Sequence, residues 1–157
     1  GVLGRPDIAV RQQVFRRPAM ATEAMRRRDW VSRLLAVVDD AQGRPFEWGQ
    51  HDCCLFAARC IDAVTGSAWA VELELWYWDE STALAYIKAE GSIRASVSRR
   101  FGDPVPPLLA RRGDLVLVDS PLGEAVTVCV GPSLVGAAPS GLTVLPLSAG
   151  LCAWRID

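Results

Sequence analysis

The sequence predicts an α+β domain, helices first and a small antiparallel sheet second, on three observations. Apolar residues recur at helical spacing up to about residue 101, in segments that open on Asp or Ser and close on Gly. Beyond Arg112-Gly113 the pattern shortens to β-rich runs separated by Gly, Pro and Ser. The two kinds of segment do not alternate, as a parallel sheet with crossover helices would require. With 157 residues, half of them hydrophobic, the chain is long enough for one domain with a substantial core.

A first helix begins at Thr22 or Asp29, with Trp30, Leu34, Val37, Val38 and Ala41 at helical spacing and Gly43 and Pro45 as the stop. The aromatic turn Phe46–Gly49 then leads to Asp52, a side chain suited to cap a helix running from Cys53 to Val64. On that helix Cys53, Ala57, Cys60, Ile61 and Val64 share a face, and Leu55 and Phe56 widen it, so it is buried on most sides. Thr65-Gly66 ends it. Residues 67–78 are aromatic and acidic. Their Trp76-Tyr77-Trp78 cluster suits core or groove lining, or else a docking surface for glycan or protein. A third helix is capped by Asp79 or Ser81, turns Ala83, Leu84 and Ile87 inward and stops at Gly91. A shorter helix over Ile93–Phe101 and the Pro104–Pro107 segment close the helical half. Strands follow at Asp114–Val118, Ala125–Val130, Leu134–Ala138, Leu142–Leu145 and Cys152–Ile156.

Net charge is −1, which gives no general case for nucleic-acid binding, and no apolar run has the length of a membrane span. The charge is unevenly placed: residues 1–33 carry eight Arg against Asp7, Glu23 and Asp29. Residues 1–28 read as a basic extended arm, with Met20 an alternative translation start, and residues 29–157 as the folded domain. An arm of this kind becomes ordered only by burying itself against a partner. The five cysteines have no framework spacing and read as reduced, mostly buried thiols.

Candidate chemistry gathers at His51-Asp52-Cys53. A cysteine at a helix N-terminus sits among free backbone N–H groups in a positive field, which favours the thiolate and suits an oxyanion. Asp52 belongs to that cap and oxyanion region. His51, the only histidine, is the one imidazole that can serve as base, or it lines the oxyanion site, or with Asp52 it fixes the turn. At a helix cap its ring is expected to face outward or to bond backbone. Cys53 has its own two readings, reactive thiol or small buried apolar residue, and Cys54 reads as packing. A zinc site from His51, Cys53 and Cys54 has the wrong spacing, and no metal or cofactor is expected.

The combination Trp48-Gly49-Gln50-His51-Asp52-Cys53-Cys54-Leu55-Phe56, then Gly113-Asp114-Leu115-Val116 and the closing Ala153-Trp154-Arg155-Ile156, resembles the NlpC-like cell-wall peptidases, a branch of the papain-like cysteine hydrolases. It is more closely similar to a domain family of phages and prophages with a Trp-Gly-x-His-Asp-Cys-Cys-x-Phe signature. The likeness spans about Asp29 to Arg155. It implies a papain-like (NlpC-like) fold, with a central Cys-bearing helix packed on an antiparallel half-barrel. Cys53 matches the nucleophile. The resemblance places the base near Ala125, which cannot accept a proton, and the orienting residue on the strand around Leu134–Ala138, where side chains are apolar or small. The implied function is a phage tail-tip or hub-associated virion protein with a degenerate peptidase domain and a structural or assembly role. It would be made in the host cytoplasm, with other tail proteins as partners through the arm, possible contact with peptidoglycan, and neither nucleic-acid binding nor membrane insertion. The alternative is an active peptidoglycan endopeptidase or amidase using Cys53.

Overall fold

A computed structural model describes residues 26–157. Five helices come first: α1 (Trp30–Ala41), α2 (Cys53–Thr65), α3 (Trp69–Glu74), α4 (Glu80–Glu90) and α5 (Ile93–Phe101). After a 3-10 turn at Pro107–Leu109 come β1 (Leu115–Ser120), β2 (Gly123–Cys129), β3 (Ser133–Ala138) and β4 (Gly141–Pro146). A second 3-10 turn, Leu147–Ala149, leads to β5 (Cys152–Trp154). The strands form one open antiparallel sheet in the order β4-β3-β2-β1-β5. The architecture is α+β, N-terminal helices packed on a five-stranded sheet.

Alternation along the strands divides the core in two. Leu115, Leu117, Val126, Val128, Cys152 and Trp154 face the helices, meeting Leu34, Phe56, Ala57, Cys60 and Ile61. Val116, Val118, Cys129, Leu134 and Ala153 face the other way, where Val105, Ala110, Leu145 and Leu147 cover them. Each large side chain fully withdrawn from water, such as Phe56 or Leu117, contributes about 1.5–3 kcal/mol of transfer free energy.

Helix ends obey local chemistry. The Asp52 carboxylate accepts the Leu55 N–H and Gly66 ends α2 in the left-handed region, as the sequence predicts. Asp79 and Thr82 form a capping box on α4, and Ser92 caps α5. The inward face of α4 differs from expectation. Ala83 and Tyr86 are buried and Ile87 half-buried, but Leu84 is exposed, because the inward stripe follows 83, 86, 87 and 90. Buried Glu90 is held by Arg99, Arg100, Tyr86 and Ser96. Trp76 and Tyr77 are core residues under α4, not a docking surface, and Trp78 is half-buried.

The first helix starts at Trp30, and the expected arm lies outside the described residues except for 26–28. Two of those three are tied to the domain: the Arg27 N–H donates to the Val64 carbonyl, and Arg26 reaches Ile156 O, Arg112 O and Asp114 Oδ1. Among the described residues, no helix is long and apolar enough to cross a membrane.

Candidate functional site

The turn before α2 is built around a buried carboxylate. Asp52 Oδ1 accepts the Leu55 N–H and the Tyr77 hydroxyl, each at 2.9 Å, and Oδ2 accepts the Gly49 N–H at 3.0 Å. Glu47 and His51 close the turn with a pair of backbone bonds. Gly49 has φ +82°, and a Cβ there would stand 2.2 Å from the Trp78 carbonyl carbon, so both the turn and its close approach to Trp78 require glycine. Asp52 is therefore the cap that its position predicts, with its oxygens occupied by three donors. An acceptor so engaged contributes nothing as an oxyanion donor.

Cys53 is half-buried at the first position of α2, and its Sγ lies 3.9 Å from Cys54 Sγ. Cys54 is the only side chain hydrogen-bonded to the Cys53 sulfur among the described residues. That thiol hydrogen bond is the largest influence on Cys53 and lowers its pKa, with backbone groups of Val126 and Cys54 helping; burial and the Asp52 charge oppose it. Cys54 takes the opposite course, its thiol pushed well up by serving that bond and by burial. It also lines an apolar cavity of about 70 Å³, shared with Ala57, Ile61, Trp69, Val97 and Phe101. The bond between the two thiols thus eases deprotonation of Cys53 and hinders that of Cys54.

The position expected to carry a base turns out differently from the alignment of motifs. Ala125 belongs to the sheet face turned away from the helices, and the β2 residue against Cys53 is Val126. Both side chains are apolar, so β2 offers no proton acceptor at either register. On β3, where an orienting residue was expected, Leu134, Val135, Gly136 and Ala137 are buried and lack titratable groups.

His51 corrects another expectation. Its ring is buried instead of facing outward, edge-on to Phe56 at 6.0 Å, and its Nδ1 lies 3.4 Å from Arg59 Nη1. Arg59 has only protons to give, so Nδ1 is the acceptor and the proton lies on Nε2. That Nε2 is buried without a hydrogen-bond partner among the described residues. Burial lowers the His51 pKa first, and the nearby Arg44 and Arg59 charges lower it further, against the raising effect of Asp52. His51 is a neutral imidazole bound to a guanidinium, not to the Cys53 sulfur.

The structure thus brings Cys53 and Asp52 together at one helix start and directs the His51 ring to Arg59. Sequence reasoning gave Cys54 only a packing role, placed Tyr77 in an aromatic cluster without linking it to this turn, and overlooked Arg59. The adjacency of Cys54 was the available signal, while Arg59 and Tyr77 reach the turn from 8 and 25 residues away. Chemically, a thiolate beside one thiol and backbone N–H groups can attack a soft electrophile. Amide cleavage also needs a proton delivered to the leaving amine, and no imidazole or carboxylic acid is hydrogen-bonded to this sulfur among the described residues. No group of three or more His, Cys, Asp or Glu side chains able to hold a metal ion occurs among them either.

Residues 25–156 match the family model described as a domain of unknown function, DUF6950, and the chain belongs to that family. A comparison with curated proteins finds no match.

Proposed function

We propose that this chain is a component of a phage or phage-like particle, associated with the tail tip or hub, whose degenerate NlpC-like, papain-like domain serves structure and assembly instead of peptidoglycan turnover. One observation carries the non-catalytic part: the Cys53 sulfur is served by Cys54 and by backbone, while Val126 occupies the facing strand and His51 is engaged with Arg59. A cysteine hydrolase that lacks an acid for its leaving group loses the general-acid contribution, typically a factor of about 10²–10⁴. The particle assignment rests on the signature from Trp48 to Phe56 and its pairing with Gly113–Val116. In this reading the basic segment ahead of residue 26 engages other tail proteins, and the domain contacts peptidoglycan without cutting it.

The second reading, an endopeptidase or amidase using Cys53, is favoured by the lowered pKa of that thiol. One experiment separates them. Purified protein and its Cys53→Ser variant are incubated with peptidoglycan and the soluble muropeptides are measured. The structural reading expects equal, background release from both. Release by the wild-type chain that disappears in Cys53→Ser overturns it. Mass spectrometry of purified particles tests the location, which fails if the chain is absent from them.

A further inference from the structure

On the outer side of the turn at 47–51, two guanidinium groups converge on one carbonyl. Arg59 Nη2 donates to Gln50 O at 2.6 Å and Arg44 Nη2 approaches the same oxygen at 3.4 Å. The two nitrogens are thus within about 6 Å of each other, well inside a Debye length. The short bond from Arg59 suffices to hold the Gln50 carbonyl, and the long one from Arg44 adds little. Arg44 is exposed, has no carboxylate partner among the described residues, and directs one of its five N–H donors at the backbone, toward Gln50 O. Glu74 lies 3.7 Å from Arg59 and offsets one of the two charges; Glu47, on the same turn, makes no ion pair among the described residues. Beneath the guanidinium of Arg59 is His51, whose buried Nε2 has no partner among the described residues.

The two like charges repel each other, and an anion held between them relieves that repulsion. We infer that Arg44 and Arg59 form a notch that binds a carboxylate, presented by an acidic side chain or chain end of a peptide partner. A carboxylate has two oxygens with the geometry to accept from guanidinium forks, which makes it the complementary ligand. The notch is distinct from the Cys53 sulfur, since Arg59 lies six residues further along α2 and faces the turn instead of β2. It does not depend on whether Cys53 reacts.

His51, the only histidine, reports on the notch through its ring signals in NMR. The test titrates acetate and N-acetylglycine, a chain-end mimic, against sodium chloride at matched ionic strength. The expected result is a saturable shift of the His51 ring signal with both carboxylates, at an apparent Kd roughly in the millimolar range usual for one such contact. Arg44→Gln, at an exposed position, should keep the wild-type Tm and weaken binding at least tenfold. Arg44→Glu should supply the carboxylate internally, abolish acetate binding and leave the fold at least as stable. Cys53→Ser should bind as the wild type does. A shift no larger than that from chloride, or undiminished binding in Arg44→Gln, overturns the proposal.

Discussion

Two buried aspartates, one in each of the most distinctive sequence motifs, carry out the same kind of work with different partners. Asp114, ahead of β1, accepts the Ile156 N–H, the Arg111 N–H and the Arg26 guanidinium, with Arg111 Nε a further 3.5 Å contact. Asp52, ahead of α2, accepts two backbone N–H groups and a tyrosine hydroxyl, with no guanidinium in ion-pair contact among the described residues. Both carboxylates are joints between segments distant in sequence. The difference is charge: Asp114 is neutralised by two arginines, whereas the Asp52 charge is left to act on its neighbours and works against a Cys53 thiolate. A turn that has the composition of an active site is therefore built first as a structural joint. Such reactivity as Cys53 has comes from Cys54 and β2.

Substitution should separate the two joints, and the larger loss belongs to Asp114. Removing one partner from a buried ionic network leaves the others uncompensated, so Asp114→Ala is expected to lose about 3–5 kcal/mol in chemical denaturation. The contact between residues 26–28 and the C-terminal end should loosen with it, read as faster hydrogen exchange at Ile156. Asp52→Asn is expected to lose less, about 1–3 kcal/mol, because the amide oxygen still accepts from Leu55 and Tyr77 while the NH2 group meets the Gly49 N–H donor. Its second effect runs the opposite way. With the charge gone, the Cys53 pKa should fall and alkylation by iodoacetamide at neutral pH should accelerate. Slower alkylation in a folded Asp52→Asn protein would mean that Asp52 supports the thiolate, and the comparison between the joints would fail.

What was legible in the sequence tracks how local the cause is. Asp52 and Gly66 act within one turn of the helix they delimit, so α2 could be placed closely. Strands announced themselves through alternation with Gly and Pro punctuation. Helix α3 did not, because its N-terminus is capped from the preceding helix: Asp62 accepts the N–H groups of Trp69 and Ala70, and Ala68 supplies no side-chain cap. The facing residue on β2 was displaced by one position, from Ala125 to Val126, and in a strand one position changes the face. The direction of His51 was set by Arg59, which no pattern at the turn itself reveals.

The smallest expected effect isolates His51 from its aspartate neighbour. Its folded-state pKa is lowered, so over the interval between that value and the unfolded value near 6.5 the unfolded chain binds more protons. Stability from this group is fully present above pH 6.5 and is lost as pH falls toward the folded pKa. Below that pKa the loss is complete and the contribution is flat. His51→Gln keeps an acceptor for Arg59 and removes the titration, so its stability should vary less than that of the wild type between pH 7 and the onset of carboxylate protonation. The difference should be a fraction of the loss expected for Asp52→Asn. Chemical denaturation of both proteins across that range measures it. Parallel curves would mean that His51 is as easily protonated folded as unfolded, and that neither its burial nor the guanidiniums of Arg44 and Arg59 hold it neutral.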